Sequence, residues 1–211
     1  MSFYWLFLLC AVSYLLGTIN FAVIFSKFRL RRDIRKQGSG NPGVMNMLRN
    51  FGFKWALIIF ICDSLKSALP AIAGAVLYGF GTPEGTLALY ACGLSAVVGH
   101  CFPVFFKFKG GKGAASTFGV LLAANWAAAL IILVVAFIFL LLFESGSLTS
   151  FLVCTAFITW EFLTGNHGVT VTALLIGIYA LVILKHRTNI ARLLKGTEGR
   201  LRVFKKRAKK S

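Results

Sequence analysis

The stretch Gly99–Gly113, GHCFPVFFKFKGGKG, joins two apolar segments through a turn rich in phenylalanine, glycine and lysine. Lysines alternate with glycines in its second half, and these residues are Lys107, Lys109, Lys112, Gly110, Gly111 and Gly113. Glycine lets backbone N–H groups point into one concavity and lysine adds charge, so the turn suits phosphate or another anion. The alternative is a loop at the membrane edge whose lysines lie among lipid headgroups. The glycine spacing excludes a nucleotide-binding P-loop.

The composition indicates a protein that lies within a membrane. The chain has 211 residues, of which 58% are hydrophobic and 14% charged, and its mean hydropathy is +0.80. Soluble domains carry about a quarter of charged residues, so most of this chain is expected to face lipid or other apolar helices. We predict a single membrane-embedded, all-α domain over residues 1–211.

The formal charge of +17 does not indicate a nucleic-acid partner. The 23 Lys and Arg residues form three blocks, with eight at 27–54, three at 107–112 and eleven at 185–210, and Lys66 alone lies elsewhere. Such blocks, separated by apolar stretches, follow the positive-inside rule rather than forming a nucleic-acid groove. The five cysteines lie in apolar segments without CxxC spacing, so we predict no metal site, cofactor or disulfide framework.

Charge and segment length predict a polytopic topology. Residues 3–25 are apolar and six positive charges follow them, which places the N-terminus outside. The apolar run 113–143 fits one long helix or two short ones. A break near Asn125 gives seven spans with a cytoplasmic C-terminus, and we prefer it to five spans with one re-entrant segment. The basic tail at 203–211 is then expected to lie in the cytoplasm and bind anionic lipid.

The first basic loop contains a cluster of turn-forming residues, Ser39-Gly40-Asn41-Pro42-Gly43, followed by Asn46 and Arg49. A plain turn accounts for the glycines and the proline. It does not account for the hydroxyl, amide and guanidinium groups beside them, which suit phosphate or carbonyl oxygens. A binding loop and a simple turn both remain open at this point.

Asp63 and Lys66 stand at i, i+3 in the second apolar segment. Opposite charges on one face of an apolar helix are expected to pair, because either charge alone would be costly there. We therefore predict a structural ion pair near the cytoplasmic end rather than a direct catalytic role.

A third polar group follows the last apolar run. His186, Asn189 and Arg192 recur at i, i+3 and i+6, so they share one side of a helix that leaves the membrane. Among the three polar loops, only this one has a group that titrates near neutrality, His186. Glu198 is the lone acid in the basic C-terminal region. With seven spans, the turn after residue 143 lies on the same side, and Ser147 is expected near these loops.

The motifs narrow the class of chemistry. The chain lacks a Ser-His-Asp order, an HExxH motif and a carboxylate pair, so serine hydrolysis, zinc chemistry and glycoside chemistry have no support. What remains is a transfer reaction of anionic substrates at the membrane surface. The alternative is a transporter for a phosphorylated small solute, for which internal repeats and polar residues near the bilayer midplane would be expected.

Three motifs together resemble a known family. The segments SGNPGVMN at Ser39–Asn46, GHCFPVFFKFKGGKG at Gly99–Gly113 and HRTNIARLLKGTE at His186–Glu198 resemble the signature motifs of the bacterial acyl-phosphate-dependent glycerol-3-phosphate acyltransferases. Asp63 and Lys66 are similar to the DxxK of that family's second span. The resemblance covers nearly the whole chain.

The resemblance implies acyl transfer from acyl-phosphate to the 1-hydroxyl of sn-glycerol 3-phosphate, giving 1-acyl-glycerol 3-phosphate (lysophosphatidic acid) and phosphate. The implied setting is the bacterial inner membrane, with the site on the cytoplasmic face. The residues expected to act in catalysis are Ser39, Asn41, Arg49, His186 and Asn189. Those expected to bind substrate phosphate are Gly40, Gly43, Asn46, Lys109, Gly110, Gly111, Lys112, Gly113 and Ser147, and those expected to support the site are Asp63, Lys66, His100 and Glu198. The sequence assigns no oligomeric state.

Overall fold

The computed structural model describes residues 3–165, 167–201 and 203, and regular structure in that part of the chain is entirely helical, as predicted. The α-helices are α1 Phe3–Gly17, α2 Phe21–Phe28, α3 Val44–Phe51, α4 Phe53–Tyr78, α5 Pro83–Cys101, α6 Ala114–Ala124, α7 Trp126–Phe143, α8 Gly146–Thr164, α9 Val169–Lys185 and α10 Arg187–Leu194. Short 3-10 turns occupy Ile34–Lys36 and Val104–Phe106.

The long apolar run after the glycine-rich turn is two helices, as predicted. The amide of Asn125 closes α6 on the carbonyl of Leu121 at 2.7 Å, and its side-chain oxygen accepts the Ala128 amide at 2.9 Å to cap α7. Asparagine is a favoured N-cap because its side chain replaces a missing helical acceptor. The break near Asn125 is therefore confirmed.

Five helical segments of the described chain are long and apolar enough to cross a membrane: Tyr4–Phe28, Phe53–Tyr78, Pro83–Phe106, Trp126–Phe143 and Gly146–Thr164. The pair formed by α9 and α10, bent by 58°, adds a sixth if it counts as one span. Helix α6 has 11 residues, about 16 Å of helix, and is shorter than a bilayer core. The count of seven spans includes α6 and stays a prediction.

Helices α4, α5 and α6 form the centre of the bundle. Helix α6 packs against both α4 and α5, and most of its residues are buried. Gly119 allows this close approach, because a side chain there would collide with the backbone of Ser64 on α4. Helices α4 and α7 each pack against α6, and they contact each other through the rings of Phe53 and Phe137, whose centroids lie 6.1 Å apart. Away from this contact a gap separates α4 from α7, and residues of both helices line the cavity there.

The ion pair expected between Asp63 and Lys66 is present. The Lys66 ammonium lies 2.8 Å from an Asp63 carboxylate oxygen, and both side chains are buried. The ammonium also donates to the carbonyl of Ile19 at 2.6 Å, in the break between α1 and α2. The pair thus joins α4 to the interrupted first segment, and it lies near the middle of α4 rather than near the cytoplasmic end as predicted.

Glu161 and His167, for which the sequence suggests no partner, form a cluster with Tyr90. The Tyr90 hydroxyl donates to Glu161 at 2.6 Å, and His167 Nε2 lies 3.0 Å from the same carboxylate oxygen. These contacts join α5 to α8 and to the turn that follows α8.

Of the basic tail predicted at 203–211, the structure describes Val203 alone, and the tail stays a prediction. Val203 is 9% exposed and packs in a hydrophobic cluster that also contains Leu201 and Met47, so it belongs to the folded domain. The remainder of the predicted tail, 204–211, lies outside the described residues.

Candidate active site

A cavity of about 760 Å³ lies where the three polar loops meet, and it continues between the helices that border the gap. Its polar end is lined by Ser39, Asn41, Gly43, Arg49, Lys112, Gly113, Ser147, His186, Asn189, Arg192 and Glu198. Its apolar end is lined mainly by α4 and α7, through Phe53, Leu57, Phe60, Leu133, Val134, Phe137 and Ile138. One space therefore offers a charged chamber and an apolar groove.

Asn46 organises the first loop. Its side-chain oxygen accepts the Ser39 amide at 3.0 Å, and its side-chain nitrogen donates to the carbonyls of Gln37 at 2.9 Å and Ile34 at 3.2 Å. Asn46 is buried and its polar atoms are occupied within the loop. Asn46 positions Ser39, and both residues line the cavity, so phosphate binding by Asn46 stays a prediction.

The other residues of this loop divide into those that face the cavity and those that shape the turn. Asn41, Gly43 and Arg49 line the cavity. Gly40 has φ +70°, a left-handed conformation that favours glycine, and it is not part of the lining. Gly40 thus has a conformational role in the turn, and phosphate binding by Gly40 stays a prediction.

Two glycines of the glycine-rich turn pack against His100. The Gly111 amide donates to the carbonyl of His100 at 3.1 Å, and a side chain at Gly111 would overlap the His100 imidazole. Gly110 lies equally close to the His100 backbone, and Lys109 is exposed outside the lining. The two glycines thus pack closely on His100, and phosphate binding by Lys109, Gly110 and Gly111, which lie outside the lining, stays a prediction.

Lys112 and Gly113 do reach the cavity. Gly113, with φ +92°, ends the turn and leads into α6, whose first residues, Ala114 and Ala115, also line the cavity. The first N–H groups of a helix have no intrahelical acceptor and favour anions. The turn thus brings one lysine and one helix start to the chamber.

A hydrogen-bond network around Asn189 joins three separate parts of the chain. Lys112 donates to the Asn189 side-chain oxygen, and the Asn189 nitrogen donates to Ser147 and, at 2.9 Å, to Glu198. Ser147 donates to Glu198 at 2.5 Å, and Arg192 donates to its other oxygen at 3.1 Å. Glu198 is therefore the common acceptor that fixes Ser147, Asn189 and Arg192.

Arg192 is a further residue of the site. Its spacing in the sequence predicts a position on the same helix side as His186 and Asn189 but indicates no function. The signal was the i, i+3, i+6 spacing, which indicates a shared face but does not say which of its groups meet an acceptor. The ion pair with Glu198 and its place in the lining bring Arg192 into the chamber.

His186 is held in one tautomer. Its Nδ1 lies 2.8 Å from the carbonyl of Val182, which only accepts, so Nδ1 carries the proton and Nε2 has the lone pair. His186 follows the last residue of α9, and burial lowers its pKa to about 4, with nearby Lys112 acting in the same direction. The imidazole is neutral at physiological pH and can accept a proton or a hydrogen bond.

Two more site groups have shifted pKa values. The pKa of Lys112 is lowered to about 8, mainly by burial; the positive charges of Arg192 and Arg49 act in the same direction and Glu198 opposes them. For Glu198, burial raises the pKa, but hydrogen bonds from Ser147, Asn189 and Arg192 outweigh this effect and hold the pKa below its ordinary value. Glu198 is thus a stable carboxylate, and Lys112 loses its charge in mildly alkaline solution.

Within residues 3–165, 167–201 and 203, no three His, Cys, Asp or Glu side chains converge in a way that could hold a metal ion. The positive groups of the chamber are Lys112, Arg49 and Arg192. Such a chamber, open to an apolar groove between helices of membrane-spanning length, suits amphiphiles that combine a phosphate with an acyl chain. The fold and the site thus define the class: a helical membrane protein with a site that suits amphiphilic, phosphate-bearing molecules.

Comparisons with known proteins give the family. The family model for glycerol-3-phosphate acyltransferase matches residues 7–196. A glycerol-3-phosphate acyltransferase of Finegoldia magna is 37% identical over 203 residues, covering 95% of this chain and 98% of the relative. One of Neisseria gonorrhoeae is 39% identical over 192 residues, covering 90% and 94%.

Solved structures agree. The crystal structure of PlsY (YgiH), an integral membrane glycerol 3-phosphate acyltransferase, in its glycerol 3-phosphate form, superposes with a TM-score of 0.84 at 37% identity, covering 92% of this chain and 94% of that one. The lysophosphatidic acid form gives a TM-score of 0.82 at 36% identity, covering 94% and 96%. The chain belongs to the glycerol-3-phosphate acyltransferase family, and the resemblance seen in the sequence is confirmed.

Proposed function

We propose that this chain transfers a fatty acyl group from acyl-phosphate to the 1-hydroxyl of sn-glycerol 3-phosphate, producing lysophosphatidic acid and inorganic phosphate, the first step of phospholipid synthesis. The observation that carries the proposal is the continuity of the cavity, which connects Lys112 and Arg192 to the groove between α4 and α7. Relatives that are named for this acceptor span nearly the same length.

The two substrates fit the two parts of the cavity. Lys112, Arg49 and Arg192 provide charge for the phosphates of donor and acceptor, together with the first amides of α6. The acyl chain lies in the groove, whose floor is formed by the rings of Phe60 and Phe118 at a centroid distance of 5.1 Å. The gap between α4 and α7 lets the chain extend laterally into lipid.

In the reaction, the glycerol oxygen attacks the acyl carbonyl carbon, the bond from that carbon to the phosphate oxygen breaks, and the hydroxyl proton leaves. Phosphate is a good leaving group, so a strong protein base is unnecessary, and the departing phosphate is itself an acceptor for the proton. We assign His186 Nε2, which has the lone pair, to accepting a hydrogen bond from the acceptor hydroxyl and so orienting it. Asn189, which is bonded to Lys112, Ser147 and Glu198, is assigned to positioning these groups around the substrates. Ser39 and Asn41 are placed as donors to the negative charge that develops on the carbonyl oxygen.

His186 as a general base is a separate hypothesis within this proposal. Neutral imidazole with a free Nε2 has the correct form for the role. If His186→Gln kept a near-normal kcat between pH 6 and pH 9, the base role would be excluded and orientation would remain.

We further propose seven spans, an external N-terminus and a site on the cytoplasmic face of the bacterial inner membrane. The support is the asymmetry of charge in the sequence, since Lys and Arg form blocks at 27–54, 107–112 and 185–210, and one member of each block, Arg49, Lys112 and Arg192, lines the polar end of the cavity.

Purified protein in detergent or lipid mesophase, supplied with labelled glycerol 3-phosphate, tests the reaction. We expect acyl-phosphate to yield labelled lysophosphatidic acid and phosphate in equal amounts, and acyl-CoA to be inert. Product from acyl-CoA alone would overturn the proposed donor. No product with either donor, in a folded preparation, would overturn the function, and uptake of glycerol 3-phosphate into liposomes would then test the transporter alternative.

A further inference from the structure

The chain after α10 turns back over the cavity. Gly196, with φ +67°, reverses the direction, and the following residues reach the lining through Glu198, Gly199 and Leu201. We refer to residues 197–201 as the strap. It lies beyond residues 7–196, which the family model matches, so the family motifs do not explain most of it.

The strap is attached to separate elements around the cavity. The Leu201 amide donates to the carbonyl of Glu144, between α7 and α8, at 2.6 Å. The carbonyl of Gly199 accepts from the Arg49 guanidinium of α3 at 3.5 Å, and Glu198 binds groups of α8 and α10. The strap therefore joins elements on several sides of the chamber.

Leu201 is buried among other apolar side chains. It is 2% exposed and belongs to a hydrophobic cluster with Met47, Leu48 and Leu140. The start of α8 is shaped to receive it, because a side chain at Gly146 would come within 2.6 Å of a Leu201 methyl carbon. Leu201 thus brings a buried apolar side chain into the lining of the cavity, next to Gly146 and three residues after Glu198.

Building on the proposed reaction, we propose that the strap, through Leu201, shields the acyl carbonyl from water and so favours glycerol 3-phosphate over water as the acceptor. Both acceptors attack through a hydroxyl, and a site that activates acyl-phosphate for one also activates it for the other. In the competing reaction, the water oxygen bonds to the carbonyl carbon, the bond to phosphate breaks, and a fatty acid and phosphate are released together with the water proton. Leu201 is a specificity residue that acts by excluding water.

The ratio of phosphate released to lysophosphatidic acid formed tests this inference. For the full-length protein in lipid nanodiscs, we expect a ratio near one and little phosphate release without glycerol 3-phosphate. Leu201→Ala should raise phosphate release without acceptor several-fold and lift the ratio clearly above one. Leu194→Ala is the matched control, because Leu194 is 84% exposed and should keep the ratio of the parent protein. A folded Leu201→Ala protein that keeps a ratio near one would overturn the inference.

A second measurement separates this inference from the proposed function. Val153→Cys, in a protein whose other cysteines are replaced, places a reporter thiol on the cavity wall formed by α8. In nanodiscs, a charged, water-soluble thiol reagent should label it several-fold faster when Leu201 is Ala, and at the parent rate when Leu194 is Ala. If the parent protein does not use acyl-phosphate, the proposed function is overturned, and the labelling rates alone then test the role of the strap. Labelling rates that do not change when Leu201 is replaced by Ala would overturn that role.

Discussion

The glycine-rich turn at 107–113 and the segment His186–Glu198 both bring polar groups to one cavity, and they do so by different means. The turn is fixed by backbone packing, with Gly110 and Gly111 pressed on His100, and it contributes one lysine side chain. The second segment is fixed by side-chain hydrogen bonds that end on Glu198. The two stretches have similar polarity, but they differ in how their groups are held: the first by backbone contacts, the second by side-chain hydrogen bonds. Different atoms therefore remain available to a substrate in each stretch.

The largest expected effect separates two lysines of the same turn. Lys112→Ala removes a partly buried charge from the chamber and should lower kcat/KM for glycerol 3-phosphate by about 100- to 1,000-fold. Lys109→Ala should change it by less than about twofold, because an exposed charge outside the cavity is screened by solvent. Equal losses in the two variants would show that the turn binds phosphate as a unit.

The second prediction breaks the network of the other segment. Glu198→Gln removes the negative charge that accepts from Ser147, Asn189 and Arg192. The amide oxygen of the substituted side chain still accepts a hydrogen bond but loses the charge assistance, a loss of about 1.5–3 kcal/mol in total, so we expect kcat/KM to fall by about 10- to 100-fold. Glu84→Gln, at an exposed carboxylate, should retain full activity. A fully active Glu198→Gln protein would contradict the role of Glu198 as the common acceptor.

The third prediction uses pH to distinguish the two regions. Lys112, with a pKa of about 8, loses its positive charge as pH rises, so anion binding weakens, and KM for glycerol 3-phosphate should rise by about tenfold between pH 7 and pH 9. His186, with a pKa of about 4, stays neutral throughout this range and contributes no inflection. Lys112→Arg should hold KM nearly constant to pH 9. A KM that rises equally in Lys112→Arg would assign the titration to another group.

The smallest expected effect tests the packing of the turn. Gly111→Ala overlaps the His100 imidazole and should destabilise the protein by about 1–3 kcal/mol, seen as a Tm lower by several degrees. The double variant His100→Ala, Gly111→Ala removes the overlap and should recover part of the loss. Gly168→Ala, at an open position, is the control and should leave Tm unchanged. An additive loss in the double variant would rule out the packing explanation.

Sequence alone predicted the features that depend on local pattern. The helical class, the break at Asn125 and the pairing of Asp63 with Lys66 follow from hydropathy, capping preference and i, i+3 spacing. The meeting of the polar loops followed from their charges, and it brought Ser147 to the network around Asn189.

The atomic roles within those loops were not predictable in the same way. Asn46 and Gly111 were predicted as phosphate ligands because amide and glycine groups suit anions, and the structure adds an internal partner for each, the carbonyl of Gln37 for Asn46 and that of His100 for Gly111. Which polar atoms have internal partners depends on how each loop folds back on itself, and residue type alone does not indicate it. The burial of Leu201 depends equally on the distant Gly146, and no local pattern indicates it.

The gap between α4 and α7 has a consequence for how the substrates arrive. If the donor enters through this lateral opening, it diffuses in two dimensions, and its effective concentration is its mole fraction in the bilayer. Glycerol 3-phosphate reaches the polar chamber from the aqueous phase, so its binding depends on its bulk concentration. Adding inert lipid at a constant amount of donor should therefore slow the reaction by surface dilution, while the dependence on glycerol 3-phosphate stays the same.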